Sequence, residues 1–210
     1  MNYVHLQMLM SADCHLKIRD IWIDRSMDHL EYILVEDAKG VHPLPSPCLK
    51  FKQPERKVEF SCPSDSIGNL ETVDTPEKMT VDIESRLWKT LGLKPLSSDD
   101  ESSDKASTSN GKLESTCRST SGIIGRKVES STGRLGSIVD MIFDPLNWKL
   151  KYVLVEDEKL QGRFILVDPE WFEDMSAAGD LYVNLSREIL LLEAVFDQKT
   201  DLNRRYHIDV

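Results

Sequence analysis

Apolar and polar positions alternate over short stretches along most of this chain, and one stretch carries helical spacing instead. Leu135 to Phe143 alternates around Ile138 and Ile142, the period-two pattern of a half-buried strand. Asp144-Pro145-Leu146-Asn147 follows as a turn, with Asp and Pro where turns favour them. Trp148 to Val155 then sets Leu150, Tyr152 and Leu154 on one face and Val153 and Val155 on the other. Shorter runs at Ile123–Glu129, Phe164–Val167 and Leu181–Leu185 predict further strands. Pro169 to Phe172 predicts a single helical turn, and Ser186 caps a short helix. Five or six short strands with little room for long helices predict a small, mainly β barrel.

The first part of the chain repeats this unit. Residues 18–37, IRDIWIDRSMDHLEYILVED, align with 138–157, IVDMIFDPLNWKLKYVLVED, at a constant offset of 120. Nine of the 20 positions are identical, where average usage gives roughly one by chance. With a slip of two residues, 40–51 then lies on 162–172; further on, 57–67 lies on 180–190. The chain therefore reads as a tandem duplication, with one copy at 1–70 and the other at 122–210.

Two segments lie between the copies. Residues 75–92 predict an amphipathic helix: Thr75 as N-cap, Pro76 in the first turn, Gly92 at the end, and an Ile83, Leu87, Leu91 stripe beside Trp88. Such a helix is too short to stand alone in water, so the stripe has to dock on something. Residues 97–121 hold nine Ser among 25 residues, and only Ala106, Leu113 and Cys117 are apolar. That composition predicts a disordered linker.

Charge narrows the function. Lys+Arg 26 against Asp+Glu 36 leaves the 210 residues at -10, and the excess acid is spread over both copies. Nucleic-acid binding draws on basic patches, so nucleic acid is disfavoured as a partner. No apolar run is long enough to span a bilayer, and the N-terminus lacks the features of a signal peptide. Cys14, Cys48, Cys62 and Cys117 form no CxxC pair. They read as small buried thiols with one in the linker, which fits a reducing cytoplasm.

Candidate chemistry is sparse. The pairs Asp20/Asp24, Asp140/Asp144, Glu36/Asp37 and Glu156/Asp157 are the carboxylates that acid/base work or a divalent cation would use. Asp24 and Asp144 begin turns, where Asp bonds its own backbone. Asp20 and Asp140 sit mid-strand, where a buried carboxylate accepts backbone N–H groups. His5, His15, His29, His42 and His207 all lie outside 122–190, which leaves that copy without a nucleophile–histidine site. The expectation is a non-enzyme with no metal and no cofactor. Its candidate partner face is Trp148, Trp171, Leu87 and Trp88, since exposed aromatics dominate interface energetics. Trp148 and Trp171 align with His or Leu in the first copy.

Gly125, Gly133, Gly136, Asp140, Phe143, Asp144 and Trp148, followed by LSREIL and the FDQKTDLNRRYH arm, resemble the PRC-barrel domain, the family of the photosynthetic reaction centre H subunit and of many bacterial proteins. In the first copy the three glycines become His5, Asp13 and Leu16, so that copy is degenerate. The resemblance implies two PRC-type barrels paired about a pseudo-twofold axis, or a homodimer. It also implies a cytoplasmic assembly module for protein partners, associated with membrane or electron-transfer complexes. The ribosome maturation factor, which shares the fold, implies an RNA-linked alternative. Pro43, Pro45 and Pro47 predict an edge or irregular strand, and the degenerate copy is expected to lean on the fuller one.

Overall fold

The period-two runs become strands, and their pairing shows how the halves are built. The computed structural model describes residues 4–10, 16–52, 57–61, 67–93, 117–159, 162–175, 180–193 and 195–196. The first half comprises β1 (Val4–His5), α1 (Leu6–Met10), β2 (Lys17–Asp24), β3 (Leu30–Asp37), β4 (Gly40–Pro45), β5 (Leu49–Lys52), β6 (Lys57–Phe60) and α2 (Val81–Leu91). The second comprises β7 (Cys117–Ser119), β8 (Lys127–Ser130), β9 (Gly133–Phe143), β10 (Leu150–Asp157), β11 (Phe164–Val167), β12 (Phe172–Met175), β13 (Leu181–Val183), α3 (Arg187–Glu193) and β14 (Val195–Phe196). The protein is mainly β, with few helices. One sheet, in the order β12-β13-β8-β9-β10-β11-β14, curls into a half-barrel. A second runs β4-β3-β2-β7, and β5 and β6 form a ribbon of two.

The strand pairings of the two halves correspond in register. Ile33 pairs with Leu44 and Val35 with His42, while Val153 pairs with Val167 and Val155 with Ile165. With Ile33 on Val153, Leu44 stands where Val167 stands, an offset of 123. The same offset puts the 3-10 turn Ser46–Cys48 on Pro169–Trp171. It also puts the pair Leu49–Phe60 on Phe172–Val183. The slip past the second hairpin is thus three residues, as 57–67 on 180–190 implied and one more than 40–51 on 162–172 implied. Trp148 takes the place of Asp28 and Trp171 that of Cys48, not of His or Leu.

The halves exchange their first strands. Val4 and His5 pair with Phe143 and Ile142 of the second half. Cys117, Arg118 and Ser119 pair with Asp24, Ile23 and Trp22 of the first. Each short strand therefore pairs into the sheet of the other half. Cys117 is a buried strand residue, not part of a linker. Of the segment 97–121, residues 97–116 lie outside the described residues. Residues 117–121 form β7 and the start of a 3-10 turn, because β2 offers them a ladder that composition alone does not reveal. One apolar cluster joins Ile21, Trp22 and Ile33 to Ile138, Met141 and Phe143.

Three local features refine the expectations. Pro76 opens a 3-10 turn, Pro76–Lys78, and the chain is extended at Met79, so α2 begins later than Thr75 suggested. Its cap is Thr80, whose side chain accepts the Ile83 N–H, and Gly92 ends it at φ 67°. The β4 strand with Pro43 and Pro45 is an edge, as proline requires, and Val73 N–H covers the Val41 carbonyl there. In the second half β14 pairs with the outer side of β11. Gly136 lets β9 meet β10 closely, since a Cβ there would lie 1.8 Å from the Glu156 carbonyl oxygen.

Candidate functional site

The seam between the halves is built from turn carboxylates. Asp24 Oδ1 accepts the N–H groups of Asp28 and His29, both at 2.7 Å, and closes the turn between β2 and β3. Asp144 Oδ1 accepts Leu146 N–H at 2.9 Å in the equivalent turn. These turns meet: His29 bridges Lys149, Leu30 N–H donates to the Trp148 carbonyl at 3.0 Å, and Leu150 N–H donates to the Asp28 carbonyl at 2.6 Å. Each contact has its counterpart 120 residues on. Trp148 is held at φ 59°, a left-handed conformation that bulky residues seldom adopt, with its carbonyl aimed across the seam.

The mid-strand carboxylates receive the exchanged strands. Asp140 is fully buried; its Oδ1 accepts Met141 N–H at 2.9 Å and its Oδ2 lies 3.0 Å from His5 Nδ1. Asp20 accepts Ile21 N–H at 2.8 Å, the Trp22 indole at 3.2 Å and the Ser119 hydroxyl at 2.5 Å. His5 and Ser119 occupy matching ladder positions, opposite Ile142 and Trp22. Sequence reasoning found the backbone bond that each aspartate accepts. It missed the side chain arriving from the other half, because β1 and β7 precede the region where the repeat keeps its offset.

Of the remaining pairs, Asp37, Asp157 and Glu36 are engaged as well. Asp37 accepts Lys39 and Gly40 N–H groups and lies beside His42 Nε2; the Lys39 bond comes first among the causes that hold its carboxyl below the usual range. Both Asp157 oxygens accept from Arg187 Nη2, and Oδ1 also accepts Lys159 N–H. Glu36 pairs with Arg19 at 3.0 Å. Among the described residues no group of three or more His, Cys, Asp or Glu could hold a metal ion, and no helix is long and apolar enough to cross a membrane.

A groove of about 910 Å³ opens where the seam meets β5. It is lined by Pro47, Leu49 and Phe51 from the first half and by Pro145, Leu146 and Trp148 from the second, together with His29 and Glu31. Leu146 is 79% exposed on the rim. Burial first, then the charges of Asp24 and Glu84, raise the Glu31 carboxyl above its usual range. Of the candidate partner face, only Trp148 lines this groove, and the chain's own core buries it to 5% exposure. Leu87 and Trp88 are each 4% exposed beneath α2 and present almost no surface. Trp171 is half-buried against the core. The four are not brought together. Phe51, Pro47 and Leu146 were missed, since a groove made by two turns and a ribbon leaves no period in the sequence.

The chain matches no protein-family model and no curated protein.

Proposed function

We propose that this chain is a tandem pair of PRC-type barrels, degenerate at 1–70 and fuller at 122–210, that acts without catalysis as a protein-interaction module. Its partner docks in the groove at the seam. The observation that carries this reading is the groove itself, with apolar lining residues contributed by both halves. Engagement of the candidate carboxylates other than Glu156 in turns, strand docking or ion pairs supports a scaffold over acid/base work. The resemblance to the reaction centre H subunit adds an assembly role in the cytoplasm, beside membrane or electron-transfer complexes. That is an argument by fold analogy. The acidic balance of -10 favours a protein partner over RNA.

The test is a photo-cross-linking amino acid at Leu146, in the full chain and in the native cell, compared with one at exposed Val81 on α2. The expected result is a discrete protein adduct from position 146, absent from 81 and unchanged by nuclease. No discrete adduct at 146, or adducts lost on nuclease treatment, would overturn the reading.

A further inference from the structure

The groove runs along a strand edge. Leu49, Lys50, Phe51 and Lys52 all line it, although neighbouring residues of a strand point to opposite faces. Such a lining places the groove beside β5 rather than over one face of the ribbon. Among the described residues β5 pairs only with β6. Ser61 N–H donates to the Cys48 carbonyl at 2.7 Å, so the alternation of an antiparallel ladder makes 50/59 and 52/57 the bonded pairs. The N–H and C=O of Phe51 and the C=O of Leu49 therefore point at the groove; the Leu49 N–H is taken by the Ser46 carbonyl. In the second half the inner strand of the same pair, β13, is joined to the large sheet through β8, whereas among the described residues β5 and β6 form a sheet of their own.

The ribbon's two faces differ. Leu49 and Val58 are buried on one face, with Phe51 and Phe60 half-buried beside them. Lys50, Lys52 and Lys57 lie on the other with one acid, Glu59, whose carboxyl the hydrogen bond from Lys52 and the charges of all three lysines hold low. On a chain of net charge -10, this is a locally basic strip beside an edge that no other described strand pairs.

Building on the groove as the docking surface, we propose that β5 receives an extended peptide in which apolar and acidic residues alternate. Its backbone pairs with Phe51, its apolar side chains enter between Phe51 and Leu146, and its carboxylates face Lys50 and Lys52. This is strand addition, in which main-chain bonds give affinity and alternate side chains give specificity. Four residues of β5 span roughly 13 Å at about 3.3 Å per residue, which suits a segment of about six residues.

The experiment titrates the full chain with capped hexapeptides and follows the Phe51 amide by NMR. The probes are an alternating Val–Glu peptide, a block peptide of the same composition, an alternating Val–Lys peptide, and two Val–Glu peptides N-methylated on either alternate set. The Val–Glu peptide should bind and protect the Phe51 N–H from exchange. The block and Val–Lys peptides should bind at least about tenfold more weakly. One N-methylated set should abolish binding and the other should be tolerated, because only alternate N–H groups face β5. Lys50→Glu should reverse the preference between Val–Glu and Val–Lys. Equal binding of the block peptide, or tolerance of both N-methylated sets, would overturn strand addition. So would no binding below about 1 mM. If the cross-link at position 146 persists in that case, the groove reading stands and only the strand-addition claim fails; if both are absent, both fail.

Discussion

Replacing Asp140 with alanine should loosen the grip of one half on the other. The carboxylate is fully buried, with His5 Nδ1 at 3.0 Å and Met141 N–H at 2.9 Å. His5 is itself buried, and its Nε2 has no hydrogen-bond partner among the described residues, so removing the carboxylate strands both ring nitrogens there. Leaving a buried polar group without its partner costs about 1–3 kcal/mol, and more where the group is charged. For a chain of this size each kcal/mol lowers Tm by roughly 2–4 °C. Chemical denaturation at neutral pH gives the free energy, and hydrogen exchange gives its location, since the amides of Val4 and His5 should lose protection first. The double variant His5→Leu/Asp140→Leu should recover part of the loss, because removing both partners leaves no orphaned polar group. The reasoning is refuted if Asp140→Ala costs less than about 1 kcal/mol, or if its cost simply adds to that of His5→Ala.

Other substitutions probe separate parts of the account. Leu87→Ala should cost about 2–5 kcal/mol in thermal or denaturant unfolding, since the side chain is 4% exposed under α2. Gly136→Ala should cost about 3 kcal/mol or more, because the added carbon meets the Glu156 carbonyl oxygen. Glu31→Gln should raise Tm at pH 7: the folded carboxyl titrates above its usual 4.5 through burial and its acidic neighbours. The folded chain then binds that proton more tightly than the unfolded one, so stability falls as pH rises through the window above 4.5. The advantage of Gln should vanish in melts below pH 4.5.

The hairpins were legible because β2 with β3 and β9 with β10 are long enough for alternation to show, and nine shared residues tie them together. The strand exchange was not, because β1 has two residues and β7 three, too few for a period. Their equivalence, Val4 with Arg118, runs at an offset of 114 instead of the repeat's 120. The start of α2 misled because Thr75-Pro76 and Thr80 both carry cap chemistry, and only the extended Met79 separates them. Leu87 and Trp88 looked like a partner face because an apolar stripe shows that a helix must dock without showing on what. Here Tyr32 donates its hydroxyl to Glu84 and α2 closes over the chain's own core.

The central claim is that each half's first strand completes the other half's sheet. It is tested most directly by inserting a specific protease site at Ala106, cutting the folded chain there, and passing the product through size exclusion under native conditions. The account predicts one species containing both fragments, which melts in a single transition and separates only in denaturant. Two fragments that elute apart and melt independently would contradict it.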